Sequence, residues 1–244
     1  MIGKDKIFWV KKIGCKVCGI PFESKMCRTE YLLKKETQTD FHIVYNEENP
    51  LLYQIMVCPG CLTAFRRDEW DNLRPFLVEK LVGIQSELKE IGGKFDFSKP
   101  RDFSLGVKSY ELASLCYQTI GKKSDIVGGM YLRAAWIARD NKKIPLETHF
   151  LTLALKNYRQ AYEKENVLSF GKFGECGLIY IIADLSLRLN IFEQALRFYS
   201  RVIEHPEIKR FRELERMVRD GWTRAKELRK SASENPEGDN NDKE

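Results

Sequence analysis

The sequence has little of what enzyme chemistry usually requires. Only 3 of its 244 residues are histidine. It contains no G-x-x-x-x-G-K-[ST] phosphate loop, no G-x-G-x-x-G, no H-E-x-x-H and no G-x-S-x-G. Its carboxylates are scattered along predicted helices, where a solvated surface is the ordinary explanation. We therefore expect a protein that is not an enzyme.

Long apolar segments are missing as well. The longest run of aliphatic and aromatic residues, Leu178–Ala183, ends after six residues, whereas a membrane-spanning helix needs about 20. No apolar stretch of signal-peptide length follows the charged amino terminus. These absences predict a cytoplasmic protein without membrane contact. In that reducing compartment, the seven cysteines are not expected to form disulfides.

Charge is distributed unevenly along the chain. The formal net charge is +6, but residues 231–244 alone carry −4, so the preceding residues carry +10. A basic body permits acidic partners, although it does not by itself show nucleic-acid binding. Residues 231–244 contain no large apolar side chain, and this composition predicts a disordered acidic tail.

The rest of the chain divides into two regions of different composition. Residues 1–65 hold five of the seven cysteines together with short β-rich runs and turn residues, so they predict a small module of strands. Residues 66–230 show apolar residues at three- and four-residue spacing, which predicts helices with short connections. The predicted fold class is α+β and mainly α. The helices are expected at about 68–92, 103–120, 124–140, 146–165, 172–189, 191–204 and 207–230.

Two CxxC pairs lie 39 residues apart in the first region. A CxxC turn lets both thiolates point at one ion, while backbone N–H groups donate to the sulfurs. Two such turns facing each other give the tetrahedral four-cysteine site of structural zinc. Because such a site has no open position for water or substrate, it favours a stabilising role over catalysis. The predicted ligands of one zinc ion are Cys15, Cys18, Cys58 and Cys61.

The same cysteines permit other interpretations. A four-cysteine iron centre uses similar turns, because thiolates also bind iron. A thioredoxin-like redox pair would need one CxxC opening a helix after a strand, and no βαβ pattern is present. Cys27 is expected to be a small buried hydrophobe and His42 to lie on the polar face of a strand, rather than to bind the metal. Cys116 and Cys176 are expected in the core.

A small-x₃-aromatic-x₂-small pattern occurs at Ala154–Ala161 and again at Ala195–Val202. The second helix of a tetratricopeptide (TPR) hairpin has this pattern, because small residues let paired helices approach closely. Ala183 precedes Ala195 by 12 residues, as the motif requires. The pattern predicts a TPR-like helical array, with an ordinary helical bundle as the alternative.

In such an array, first-helix side chains line a concave surface. Tyrosine and arginine in a groove favour peptide recognition, because they offer rigid contact area and a bidentate donor. The sequence therefore predicts a scaffold that binds a protein or peptide. The expected partner-binding residues are Tyr110, Ser114, Tyr117, Tyr180, Asp184 and Arg188.

The last predicted helix combines one narrow apolar stripe with basic faces, as the polar-backed cap of a helical array requires. Those basic faces could instead meet phosphate, which leaves a nucleic-acid-associated zinc-ribbon factor as the alternative function. The CxxC turns themselves carry only Lys16, with Arg66 and Arg67 close after the second. The sequence therefore favours a non-catalytic zinc-binding scaffold for protein–protein interaction.

Four stretches together resemble the bacterial family catalogued as domain of unknown function 2225. They are Cys15–Phe22, Asn49–Cys61, Leu112–Tyr117 and Tyr131–Trp136, and the resemblance runs from about residue 8 to 230. It implies an N-terminal zinc-knuckle module joined to TPR-like helices, and it implies no particular activity. The sequence departs from the family pattern at Leu62, where a glycine often follows the last cysteine.

Overall fold

Two compact units make up the chain in the computed structural model, which describes residues 4–165 and 170–234. They are Met1–Asn157 and Tyr158–Glu244. The division falls inside a helix, and the module boundary that the sequence predicts at residue 65 stays a prediction. The helical region predicted at 66–230 is therefore shared between the two units.

Among the described residues of the first unit, three pairs of antiparallel strands are present. Two of the three connections between paired strands contain the CxxC sequences, one after β1 and one after β5. In the longest pair, residues face each other from Phe8 opposite Cys27 to Gly14 opposite Pro21. The pairs are β1 (Phe8–Gly14) with β2 (Pro21–Cys27), β3 (Lys34–Thr37) with β4 (Ile43–Tyr45), and β5 (Ile55–Val57) with β6 (Ala64–Arg66).

Helices form most of the remainder, which confirms the predicted class, α+β and mainly α. Within residues 4–165 and 170–234, no helix combines the length and the apolar character needed to cross a membrane. The helices are α1 (Lys4–Ile7), α2 (Arg67–Asn72), α3 (Pro75–Val82), α4 (Gln85–Gly92), α5 (Phe103–Thr119), α6 (Ser124–Asp140), α7 (Ile144–Lys164), α8 (Gly174–Arg188), α9 (Phe192–Glu204) and α10 (Arg212–Glu234).

Two boundaries differ from those expected. The single helix predicted over residues 68–92 is instead α2, α3 and α4. Arg74 has an extended backbone, because the residue before a proline avoids helical geometry, and Pro75 then starts α3. At the other end, residues 231–234 continue α10, where a tail was expected, and Lys230 Nζ lies 3.7 Å from a Glu234 carboxylate oxygen. Residues 235–244 lie outside the described part.

An aromatic cluster joins the strand pairs to the helices of the first unit. The buried Trp70 ring of α2 meets Phe22 of β2 and Phe65 of β6 at centroid distances of 5.5 and 5.8 Å. Phe65 in turn meets Tyr117 of α5 at 5.3 Å. Trp70 Nε1 also donates to the Met56 carbonyl in β5, at 3.2 Å. The cysteine-bearing hairpins therefore share one core with α2 and α5.

In the second unit, α8, α9 and α10 pack around small residues. Ala183 and Ala195 are both fully buried, which confirms the burial expected of Ala195. Gly221 of α10 faces Tyr199 of α9 so closely that a Cβ at Gly221 would lie 2.5 Å from the tyrosine hydroxyl. Such a separation is far below van der Waals contact, so only glycine fits there without moving a buried ring.

Candidate metal centre

Four cysteine sulfurs converge beside the two CxxC turns. The Sγ atoms of Cys15, Cys18, Cys58 and Cys61 all lie within 4.8 Å of one another. Cys15 and Cys61 are 3.5 Å apart, as are Cys18 and Cys58. In a tetrahedral zinc site with Zn–S bonds of about 2.3 Å, the sulfurs are separated by about 3.8 Å. The four predicted ligands are therefore brought together at the spacing of a four-coordinate metal ion.

The two turns have the same backbone geometry. In the first, the Cys15 N–H donates to the Ile20 carbonyl at 3.0 Å, and the Gly19 N–H donates to the Cys15 carbonyl at 2.8 Å. The equivalent bonds around Cys58 have the same two lengths. The residue after each pair has a left-handed φ, 77° at Gly19 and 61° at Leu62. Local sequence thus presents each pair of sulfurs in one direction.

Leu62 occupies the left-handed position without the conformational freedom of glycine, at a cost of about 1–2 kcal/mol. Its side chain is buried, and its Cδ1 lies 3.4 Å from the place that a Cβ would take at Gly92 of α4. Packing against α4 offsets the backbone strain. Leu62, which replaces the glycine of the family pattern, therefore connects the second CxxC turn to α4 through its side chain.

Backbone amides and neighbouring thiols set the protonation of the cluster. Hydrogen bonds with Cys15 and Cys61, together with burial, raise the pKa of Cys58, whereas hydrogen bonds with Cys15 and Cys58 lower the pKa of Cys61 to about 2. Backbone N–H groups hydrogen-bond to three of the sulfurs: those of Val17 and Cys18 to Cys15, that of Cys61 to Cys58 and that of Thr63 to Cys61. Thiols that share protons in this way exchange them for a soft divalent cation on binding, so the donor set fits a metal ion.

Contacts with the helices hold the first turn and the cysteines nearby. Lys16 Nζ donates to the carbonyls of Asp71 and Leu73 at the end of α2, at 3.0 and 3.3 Å. Cys116 of α5 is buried, as expected, and its sulfur accepts the Ala64 N–H at 3.4 Å. Cys116 is thus outside the four-sulfur cluster.

Cys27, expected to be buried, is only half-buried.

The residues expected to line a groove on α5 are buried instead. Tyr110 donates its hydroxyl proton to the Leu51 carbonyl at 3.0 Å, and the Arg66 N–H donates to the Tyr117 hydroxyl at 3.3 Å. Ser114 is also fully buried, and its hydroxyl donates to a carbonyl of its own helix. They do not line an exposed groove, because residues of the chain's own N-terminal segment, among them Leu51 and Arg66, cover this face of α5.

The corresponding residues of α8 are likewise internal. Tyr180 is fully buried and its ring lies 6.1 Å from that of Tyr199. Asp184 is buried and accepts a hydrogen bond from Arg188 Nε at 2.7 Å. Of the six residues predicted to bind a partner, Arg188 alone is only half-buried. The helical periodicity of the sequence identified positions that make contacts. It could not show that most of these positions are covered by other parts of the same chain.

His42 belongs to a buried polar network that the sequence did not reveal. Its Nε2 lies 3.0 and 3.1 Å from the two carboxylate oxygens of Asp140, and its ring stacks on Trp136 at 4.9 Å. Asp40, fully buried, accepts from Trp136 Nε1 at 2.9 Å and from Arg139 Nη2 at 2.7 Å. The network therefore joins the loop between β3 and β4 to the end of α6.

A second cluster missed by sequence reasoning surrounds Cys176, which is buried as expected. Its sulfur lies 3.1 Å from His205 Nδ1, and His205 Nε2 lies 3.5 Å from a Glu175 carboxylate oxygen. This order of thiol, imidazole and carboxylate resembles that of an activated nucleophile. Burial, however, raises the pKa of Cys176, and the charges of Glu207 and Glu175 raise it further. Burial and these charges therefore disfavour the reactive thiolate, and the sulfur is out of reach of solvent.

The chain is similar to a described protein family and to a curated bacterial protein. The model of a family described as "Uncharacterized protein conserved in bacteria (DUF2225)" matches residues 8–225. An "Uncharacterized protein" of Borreliella burgdorferi is 30% identical in an alignment 155 residues long that covers 57% of this chain and 56% of that protein. The chain thus aligns with little more than half of that relative's length. No solved structure gives a significant match.

Proposed function

The chain belongs to the DUF2225 family of bacterial proteins, and we propose that it is a non-catalytic zinc-binding protein whose TPR-like helices form a scaffold for protein–protein interaction. The observation that carries this proposal is the four-cysteine cluster of tetrahedral size, held by two turns of equal geometry. Zinc fits this donor set because thiolates are soft ligands and four of them complete its coordination.

The proposed role of the metal is structural. β1–β2 and β5–β6 are separate two-stranded pairs, and an isolated two-stranded hairpin is marginally stable in water. One ion bound to both turns would cross-link the two hairpins. Ile20 already lies against the second turn, since a Cβ at Gly60 would be 2.5 Å from its Cδ1. Cysteines of both turns would therefore hold the ion, and the two hairpins would be stabilised by it.

Two observations support the absence of catalysis. A four-cysteine site leaves no coordination position for water or substrate. The Cys176 thiol is buried, and its burial raises its pKa although it lies beside an imidazole. Over the described ranges, no second group of three or more metal-binding side chains comes together as these four cysteines do.

Elemental analysis tests the metal assignment. Protein purified under reducing conditions is expected to contain one zinc ion per chain. After replacement by cobalt, the visible spectrum should be that of four-thiolate tetrahedral coordination, and added azide or cyanide should leave it unchanged because no position is open. Stoichiometric iron, no metal, or a spectrum that responds to azide would contradict the proposal.

The TPR-like scaffold is supported by the packing of small residues. Ala154, Ala161, Ala183 and Ala195, which the pattern places at helix crossings, are all fully buried. In the second unit, α8 and α9 are joined by a short connection and pack against each other. This arrangement agrees with a helical hairpin of the TPR kind.

Because most of the predicted groove residues of α5 and α8 are covered, we place the protein contact of this scaffold on the β1–β2 hairpin, which packs on the helices through Phe22 and Trp70. Ile20 is 45% exposed there, next to a cleft of about 480 Å³ lined by Lys12, Ile13, Gly14, Pro21, Phe22 and Glu23. Lys12 and Glu23 form an exposed ion pair of 3.2 Å at this cleft. An apolar side chain flanked by charged residues on a partner protein would complement this combination.

Ile20→Asp is the corresponding test. A buried carboxylate at the contact is expected to abolish retention of a specific bacterial protein from extract, because burying an unpaired charge is costly. Val82→Asp is the control, since Val82 of α3 is 54% exposed and lies outside the cleft. Both variants must retain the wild-type metal content. If all three forms retain the same proteins, the contact is not at this hairpin.

A further inference from the structure

A row of cations runs along the exposed face of α10. The positions of the row, which include one threonine, are spaced alternately four and three residues apart, so they lie on one side of the helix. From the first to the last, the row extends for about 27 Å at 1.5 Å per residue. It consists of Arg212, Arg216, Arg219, Lys226 and Lys230, with Thr223 between the third and fourth, and all six residues are exposed.

The opposite face of α10 holds the helix in place. Leu214, Val218 and Ala225 are fully buried, and Gly221 packs directly on Tyr199. The row is therefore presented outwards by a continuous helix whose apolar side is already used. This distinguishes α10 from a membrane-surface helix, which must keep its apolar side free for lipid.

Acidic residues flank the row and do not interrupt it. Glu215 lies beside it and pairs with Arg219 at 2.9 Å and with Lys209 at 3.0 Å. Glu234 lies one turn beyond the row, near Lys230. No row position between Arg212 and Lys230 is acidic. Exposed ion pairs contribute only about 0–1 kcal/mol to stability. Arg219 can therefore exchange the Glu215 carboxylate for another anion at little cost in free energy.

We propose that this row binds the phosphodiester backbone of nucleic acid without regard to base sequence. A linear series of positive charges matches a linear polyanion, and the arginine fork pairs with phosphate through two hydrogen bonds. The row covers the axial length of about eight nucleotides of one strand at 3.4 Å each. This contact surface goes beyond the proposed function and does not depend on the metal.

The test compares two triple variants in a salt series. Arg216→Gln, Arg219→Gln and Lys226→Gln remove the middle of the row. Lys34→Gln, Lys89→Gln and Lys94→Gln remove the same charge from exposed sites elsewhere. The probes are duplex DNA and single-stranded RNA of unrelated sequences, each about 20 nucleotides long. Fluorescence anisotropy measures affinity between about 50 and 200 mM salt, the range over which backbone contacts weaken strongly.

Five backbone contacts to duplex DNA predict a slope of log affinity against log salt of about −4.5, and three fewer predict about −1.8. For single-stranded RNA the wild-type slope is expected to be about −3.5. Wild-type binding to DNA should therefore weaken about 500-fold across the series, and the row variant should be much the weaker at low salt. The control triple should behave like the wild type.

Three results would overturn the proposal. Equal losses in both triple variants would show that net charge acts rather than the row. Binding to vesicles of anionic lipid, but not to either nucleic acid, would assign the row to a membrane surface. Equally tight binding to poly-glutamate would assign it to an acidic protein. Metal content is measured on each sample, so a wrong metal assignment would be seen separately.

Discussion

Cys58→Ser is expected to release the metal and to unfold the strand pairs around both CxxC turns. A serine hydroxyl does not supply the thiolate that the site requires, and three sulfurs remain. Zinc binding to small four-ligand sites contributes about 10–16 kcal/mol, and in such proteins this free energy is folding free energy. The two hairpins share a core with α2 and α5 through Trp70 and Tyr117. The loss should therefore spread into the helices of the first unit.

The second unit should be largely spared by this substitution, since its helices pack on one another. We expect circular dichroism to show a partial loss of helix, and thermal unfolding to show an early transition for the first unit with a later one unchanged. Elemental analysis should find less than one zinc per chain. Cys27→Ser is the control, because Cys27 is a half-buried cysteine outside the cluster. Full metal content and a wild-type melt in Cys58→Ser would refute the ligand assignment.

Asp40→Ala has the second largest expected effect. The fully buried carboxylate accepts hydrogen bonds from Trp136 and from Arg139, whose side chain is only 15% exposed. Its removal leaves a nearly buried guanidinium with less compensation and an indole N–H without its acceptor. Breaking such a buried pair costs about 3–5 kcal/mol, a large part of the roughly 5–15 kcal/mol that stabilises a typical domain.

Denaturant unfolding of the zinc-loaded protein measures this cost. Asp40→Asn should lie between wild type and Asp40→Ala, because the amide oxygen still accepts hydrogen bonds but the charge is lost. Glu90→Ala, at an exposed position of α4, should leave the midpoint unchanged. If Asp40→Ala unfolds at the wild-type midpoint, the network between the β3–β4 loop and α6 does not contribute to stability.

The four-cysteine cluster could be predicted from the sequence because a CxxC turn is local. Four residues fix the direction of two sulfurs, and only the meeting of the two turns required the fold. The helix break at Pro75 was also local, and its signal was present but outweighed by apolar periodicity. Local patterns of this kind carry most of the fold class.

Long-range partners could not be predicted in the same way. Asp40 and Arg139 are 99 residues apart, and neither a loop aspartate nor an arginine at a helix end is unusual on its own. Tyr110 and Tyr117 have the spacing and chemistry of groove residues. Whether such a face binds another protein or the chain's own N-terminal segment depends on packing that periodicity does not contain.

Tyr110 of α5 donates to the Leu51 carbonyl, and the Arg66 N–H donates to Tyr117 of α5. These two bonds determine whether the cysteine-bearing segment could be separated from the helices. A zinc-ribbon module that makes few contacts with the adjacent domain can be moved between proteins as an independent unit. Here, transplanting residues 1–66 would leave the buried hydroxyls of Tyr110 and Tyr117 without these partners and would expose the aromatic ring of Phe65. The cysteine-bearing segment and α5 are therefore expected to have changed together over time, as one indivisible part of the molecule.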